Sequence, residues 1–251
     1  MIKKELCEVL KSVERNLLGI LYPPRCPLCD GVLDIANYSG ICSSCDKEIE
    51  FVREPYCKMC GKPIENEIEE LCEDCKKRRF SFEYGRAVFV YNYSMKNAVA
   101  RFKYSGRCEY AEYFASQAVR MYGKWINKIS PDALIPVPIH KSRYRQRGYN
   151  QAQVIAKSIG EKLGIPVVSN LIVRVKQTIP QKELSVIERR KNLYGAFSIV
   201  EEMKELYHEL KCVIMIDDIY TTGSTIEACA DVLKDSGISK VYFLCICIGK
   251  K

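Results

Sequence analysis

The 251-residue sequence is poor in histidine: His140 and His208 are the only two. His208 lies in a polar stretch that reads as surface, and His140 is a lone loop histidine without an evident partner, so imidazole acid–base catalysis has weak support. No apolar run reaches the length of a membrane span. The charged start Lys3-Lys4-Glu5, followed by Glu8, Lys11 and Glu14, lacks the apolar centre of a signal peptide, so the expected location is the cytoplasm. No Gly-Lys-Ser/Thr follows the glycine of the chain's hydroxyl-rich turn, which excludes a Walker-type phosphate loop. With 47% hydrophobic residues the chain can bury one substantial core and leave room for a small accessory module. Its net charge of +8 favours polyanionic partners over basic ones.

Cysteine, by contrast, is abundant. Eight of the 14 fall in Cys26-Pro-Leu-Cys29, Cys42-Ser-Ser-Cys45, Cys57-Lys-Met-Cys60 and Cys72-Glu-Asp-Cys75, all in the first third of the chain. In a reducing compartment such clustering indicates metal more readily than disulfides. Two thiolates on one tight turn reach one ion, and a second knuckle about a dozen residues on completes a tetrahedral site. The even spacing predicts two tandem ribbons, Cys26, Cys29, Cys42 and Cys45 in one and Cys57, Cys60, Cys72 and Cys75 in the other, with crossed pairings also open. Two structural zinc ions are the expected occupants, an iron–sulfur cluster being the alternative; a site closed by four thiolates leaves no position for substrate. Cys212, Cys229, Cys245 and Cys247 fall in apolar elements and read as small core residues.

The stretch that organises the rest is Val213-Ile-Met-Ile-Asp217-Asp218-Ile-Tyr-Thr221-Thr222-Gly223-Ser224-Thr225. Four apolar residues predict a buried strand, two carboxylates stand at its end, and a hydroxyl-rich turn leads into a helical run from Ile226 to Leu233. The open end of a parallel strand and the N-terminus of the next helix together suit a phosphate, and Gly223 lets backbone approach it closely. Asp217 and Asp218 would repel that phosphate and instead suit the hydroxyls of an attached ribose.

All thirteen positions resemble the phosphoribosyl pyrophosphate (PRPP) signature of type I phosphoribosyltransferases. A second block, Pro136-Val-Pro-Ile-His140-Lys141, continues through Arg143, Arg145, Arg147, Gly148, Tyr149, Asn150 and Gln151. Its guanidiniums suit pyrophosphate and a nucleic-acid backbone equally. This block, with Leu21-Tyr-Pro-Pro-Arg-Cys26-Pro-Leu-Cys29, Phe102-Lys103-Tyr104, and Arg174 through Gln177, Gln181, Leu184, Arg189, Asn192 and Phe197, resembles the ComF family, amidophosphoribosyltransferase-like proteins linked to bacterial competence.

The resemblance implies an α/β fold of the type I phosphoribosyltransferase kind, Rossmann-like with a mostly parallel sheet. It also implies PRPP with Mg2+ as ligand. Asp217 and Asp218 would hold the ribose and serve as the catalytic carboxylates, and Thr221, Thr222, Gly223, Ser224 and Thr225 the 5'-phosphate. Lys103, His140, Arg143, Arg145 and Arg147 would face pyrophosphate or nucleic acid. A role in natural transformation follows, with single-stranded DNA and the DNA-uptake helicase as partners, beside the alternative of an active transferase of nucleotide metabolism. No segment names its acceptor.

The expected organisation is an amphipathic helix over 1–24, a double zinc ribbon over 25–80 and a phosphoribosyltransferase domain over 81–251. The stripe Leu6, Leu10, Val13, Leu17 and Ile20 is open to self-packing or to membrane or partner contact. Lys76-Lys77-Arg78-Arg79 marks the join and reads as a solvated linker or a phosphate contact. The charged segment from Arg174 to Asn192 is open to being a plain surface loop or a closing lid.

Overall fold

The computed structural model describes residues 23–34, 40–176 and 195–250. The amphipathic stripe and nearly all of the candidate lid lie outside them. The chain forms two compact units, residues 1–49 and 50–251. In the smaller, Arg25 and Val32 form an antiparallel bridge, and the one-turn helix α1 (Ser43–Asp46) carries the second knuckle of the first cysteine tetrad.

In the larger unit, α2 (Glu73–Lys76) carries the last knuckle. Strand β1 (Gly85–Val90) follows, then helices α3 (Tyr93–Tyr104) and α4 (Tyr110–Ile129), strand β2 (Ala133–Pro136), and helices α5 (Lys141–Arg147) and α6 (Gln151–Leu163). Strands β3 (Ile172–Arg174) and β4 (Phe197–Ile199), helix α7 (Lys204–Glu209), strand β5 (Cys212–Tyr220), helix α8 (Ser224–Asp235) and strand β6 (Lys240–Ile248) complete it.

The main sheet has the order β1-β6-β5-β2, all parallel, while β3 and β4 form a separate antiparallel pair. Val213, Ile214, Met215 and Ile216 are all fully buried. Successive strand residues face opposite sides, so both faces of β5 are covered. Val213 and Met215 share a cluster with Ile226, Cys229, Ala230 and Leu233 of α8, and α6 contacts β2 and β5 while packing on α4. The sheet is therefore sandwiched between helices, the expected α/β architecture. Burying each large side chain here contributes roughly 1.5–3 kcal/mol.

Local chemistry sets the ends. Asn92 caps α3 by accepting from the Met95 N–H at 3.0 Å, and Asn150 caps α6 by accepting from Ala152 at 3.1 Å. Helix α4 ends where Ser130 turns left-handed, at φ 51°. Strand β5 runs farther than the apolar pattern predicts: it continues through both aspartates to Tyr220, because Asp217, Ile219 and Tyr220 keep register with Cys245, Cys247 and Ile248 of β6. Cys229, Cys245 and Cys247 are fully buried, as expected, whereas Cys212 at the strand's first position is half-buried.

The ribbon sequences part company. The second tetrad belongs to the larger unit, and its segment is built into the sheet edge. Val52 donates to the Val88 carbonyl at 2.9 Å, Val90 to Glu50 at 2.8 Å, and Gly85 to Met59 at 2.8 Å. Arg86 lies 4.9 Å over the Tyr56 ring and donates to the Lys58 carbonyl at 3.1 Å. Unpaired groups of edge strand β1 are thereby satisfied.

Candidate functional site

The parallel sheet brings the carboxyl ends of its strands to one edge, where Asp217, Asp218 and the turn 221–223 leave β5. The Asp218 N–H donates to Asp217 Oδ1 at 2.8 Å. Burial, and next the adjacent Asp218 charge, push the Asp217 carboxyl up to about 7. Lys103, near the end of α3, pairs with Asp218 Oδ2 at 2.7 Å, both side chains being mostly shielded. Arg174 also bears on Asp217, and its own pKa is pulled down by burial and then by Arg143. The site thus holds two carboxylates with a lysine on one and guanidiniums behind.

Beyond them, Gly223 sits at φ 78° as the N-cap residue of α8, where it has no side chain to cap the helix. A Cβ there would come within 2.3 Å of the Tyr220 hydroxyl oxygen, so only glycine fits. Thr222 and Ser224 hydroxyls share a 3.0 Å hydrogen bond. Ser224 is buried, Thr222 and Thr225 half-buried and Thr221 exposed. The result is a turn with hydroxyls and the positive end of a 12-residue helix, suited to an anion.

The basic block folds as helix α5, with His140 as its cap: Nδ1 accepts from the Ser142 N–H at 3.2 Å. Arg143 is half-buried and Arg145 exposed. Arg147 is committed: it donates to Gln151 Oε1 at 2.9 Å and to the Tyr104 hydroxyl at 3.2 Å, with its guanidinium 5.0 Å from that ring's centre. Tyr104 and Tyr144 are both exposed, and Tyr104 stands against the Arg147 guanidinium.

The metal-ligating residues group as the tandem pairing predicts, Cys26, Cys29, Cys42 and Cys45 in one cluster and Cys57, Cys60, Cys72 and Cys75 in the other, the sulfurs of each within 4.8 Å of one another. A zinc ion with tetrahedral Zn–S bonds of about 2.3 Å needs sulfurs roughly 3.8 Å apart. Cys29 and Cys42 are 3.8 Å apart and Cys60 and Cys72 3.7 Å. Both clusters fit structural zinc. The second is buried throughout, while Cys29 of the first is exposed.

Residues 17–76 match the double zinc ribbon domain family. Competence protein F of Haemophilus influenzae is 33% identical over 220 residues, spanning 86% of this chain and 93% of that protein. The chain belongs to the ComF family. A further similar protein is the DNA utilization protein YhgH of Salmonella typhi, 29% identical over 228 residues, covering 90% of this chain and 97% of its own. A crystal structure of a hypoxanthine phosphoribosyltransferase from Staphylococcus aureus aligns over 55% of this chain and 62% of its own with a TM-score of 0.32 and 11% identity. In this ComF protein two further residues bear on the site: Tyr220, which the sequence left without a role, and Arg78, which it placed only in a linker or phosphate-contact run. Tyr220 is a bulky aromatic directly before the hydroxyls, which is a signal of sorts. Arg78, whose Nη1 donates to the Thr222 carbonyl at 3.4 Å, was hidden in a charge run.

No described helix is long and apolar enough to cross a membrane.

Proposed function

We propose that this ComF protein binds PRPP with Mg2+ at the end of β5 and serves in natural transformation, handling incoming single-stranded DNA in the cytoplasm. The observation that carries the reading is the Asp217–Asp218 pair beside the Gly223 turn, at the carboxyl edge of a parallel sheet. The carboxylates suit a ribose diol, and Thr221, Thr222, Gly223, Ser224 and Thr225 suit the 5'-phosphate. Lys103, tied to Asp218, is a cation at hand for pyrophosphate. Arg143 and Arg145 supply further positive charge. Magnesium would neutralise pyrophosphate oxygens, and the carboxylates and hydroxyls of the site are the hard donors it prefers.

The names of the relatives support a role in competence and DNA use. Exposed Tyr104 and Tyr144 next to Arg147 and Arg145 suit bases stacking along a basic track, the usual chemistry of single-strand binding. Delivery of that strand by the DNA-uptake helicase is part of the same proposal.

The test is calorimetric titration of zinc-replete protein with PRPP and Mg2+, beside Asp217→Asn/Asp218→Asn. Binding by the wild type alone is expected; binding that survives in the double variant overturns the site. Pyrophosphate release on adding acceptor bases would move the alternative, a turning-over phosphoribosyltransferase, to first place. For DNA, affinity should fall steeply with salt and lose steepness on Arg143→Ala/Arg145→Ala; salt-insensitive binding would reject the basic track.

A further inference from the structure

The second cysteine ribbon lies behind the hydroxyl-rich turn. Cys57, Cys60, Cys72 and Cys75 share one buried cluster with Phe82, Tyr220 and Phe243. The Tyr220 ring stacks on Phe243 with centres 4.9 Å apart, and Phe82 meets Phe243 edge-on at 4.9 Å. The Tyr220 hydroxyl lies against Gly223, 2.3 Å from where a Cβ would stand.

A second route runs through the segment leaving the ribbon. Arg78, three residues past Cys75, donates to the Thr222 carbonyl at 3.4 Å. The Ser81 N–H donates to Glu227 Oε1 at 3.0 Å, its hydroxyl donates to Asp231, and Lys234 pairs with Glu83 at 2.8 Å. The ribbon's exit segment is therefore stitched along three successive turns of α8, the helix whose start forms the turn. Within the ribbon, buried Lys62 bridges to Asp74 at 2.8 Å, so the two knuckles move together.

We propose that the second ribbon is a positioning element of the site: metal held by Cys57, Cys60, Cys72 and Cys75 sets the shape of the turn 221–224 through Tyr220 and Arg78. The ligand role of that turn rests on the reading above, but the mechanical link does not. With metal, four buried sulfurs are drawn to one centre. Without it, close-packed thiols have no reason to stay together, and their separation moves both Arg78 and the floor beneath Tyr220. The first tetrad, in the other compact unit, serves as the control.

The experiment measures zinc content, near-ultraviolet circular dichroism and amide hydrogen exchange of peptides covering 219–227 in the full-length zinc-loaded protein. Cys60→Ser should lose one zinc and speed exchange in the turn by about ten-fold, Arg78→Ala should keep both zincs and speed it about three-fold, and Cys29→Ser should lose one zinc without changing it. Unchanged exchange in Arg78→Ala and in folded Cys60→Ser, or equal acceleration in Cys29→Ser, overturns the proposal. If Cys60→Ser unfolds the larger unit, Arg78→Ala decides alone. PRPP titration of the same samples separates the two readings. A turn that responds to Arg78→Ala in a protein that never binds PRPP overturns the ligand and keeps the positioning. PRPP binding with exchange indifferent to Arg78→Ala does the reverse.

Discussion

Replacing Lys103 by Gln tests how the carboxylate pair is held. Lys103 Nζ lies 2.7 Å from Asp218 Oδ2 and also lowers the Asp217 pKa, which burial and the Asp218 charge nevertheless hold up at about 7. In water a surface pair is worth about 0–1 kcal/mol, whereas breaking a buried one costs about 3–5 kcal/mol. With side chains 18% and 13% exposed, this pair lies between, so a loss of about 1–3 kcal/mol is expected. The loss should depend on pH. Asp217 is held above its unfolded value, so the native state binds more protons between about 4 and 7, and stability falls as pH rises through that window. Removing Lys103 extends the window upward, since Asp217 then keeps the Asp218 N–H bond and Arg174, but no lysine, against burial and the Asp218 charge. Urea unfolding should therefore show a loss of about 1 kcal/mol near pH 5.5 and about 2–3 kcal/mol near pH 8. Equal losses at the two pH values, or none, would refute the coupling. Adding Asp218→Asn to Lys103→Gln should recover most of the high-pH loss, since a neutral amide no longer needs the cation.

Gly223→Ala should lower thermal stability by more than about 1 kcal/mol, because φ 78° and the Tyr220 hydroxyl both oppose a Cβ; Gly223→Ala/Tyr220→Phe should recover part of the loss in a melting experiment. Asn150→Ala removes both the cap of α6 and a 3.0 Å bond to the Val137 carbonyl, and chemical denaturation should show a cost of about 1–2 kcal/mol. PRPP affinity should rise by up to about ten-fold per pH unit as Asp217 ionises below pH about 7 and level above it, with Asp217→Asn flat over the same range in calorimetry.

Much of this was legible without coordinates. Cys-x-x-Cys spacing is local geometry, so the tandem tetrads were the expected grouping and the structure chose them over crossed pairings, while the run Val213–Ile216 announced a buried strand. Gly223 was read as letting backbone approach an anion closely, and the structure adds a left-handed φ of 78° and a Tyr220 hydroxyl in the way of a Cβ. Other features resisted. His140, a loop histidine without an evident partner in the sequence, gains one in Ser142 once α5 forms and takes its Nδ1 as a cap. Strand β5 outran its apolar stretch because β6 carries its register past the aspartates.

The sequence by itself determined the metal ligands, the α/β alternation, the carboxylate pair and the hydroxyl turn, since each is written in residues close together along the chain. Tertiary structure alone decided that Lys103 meets Asp218, that Arg78 reaches Thr222 and that the second ribbon joins the larger unit. Those contacts span 115 and 144 positions in the first two cases, and neither periodicity nor spacing encodes which distant groups a parallel sheet brings to one edge.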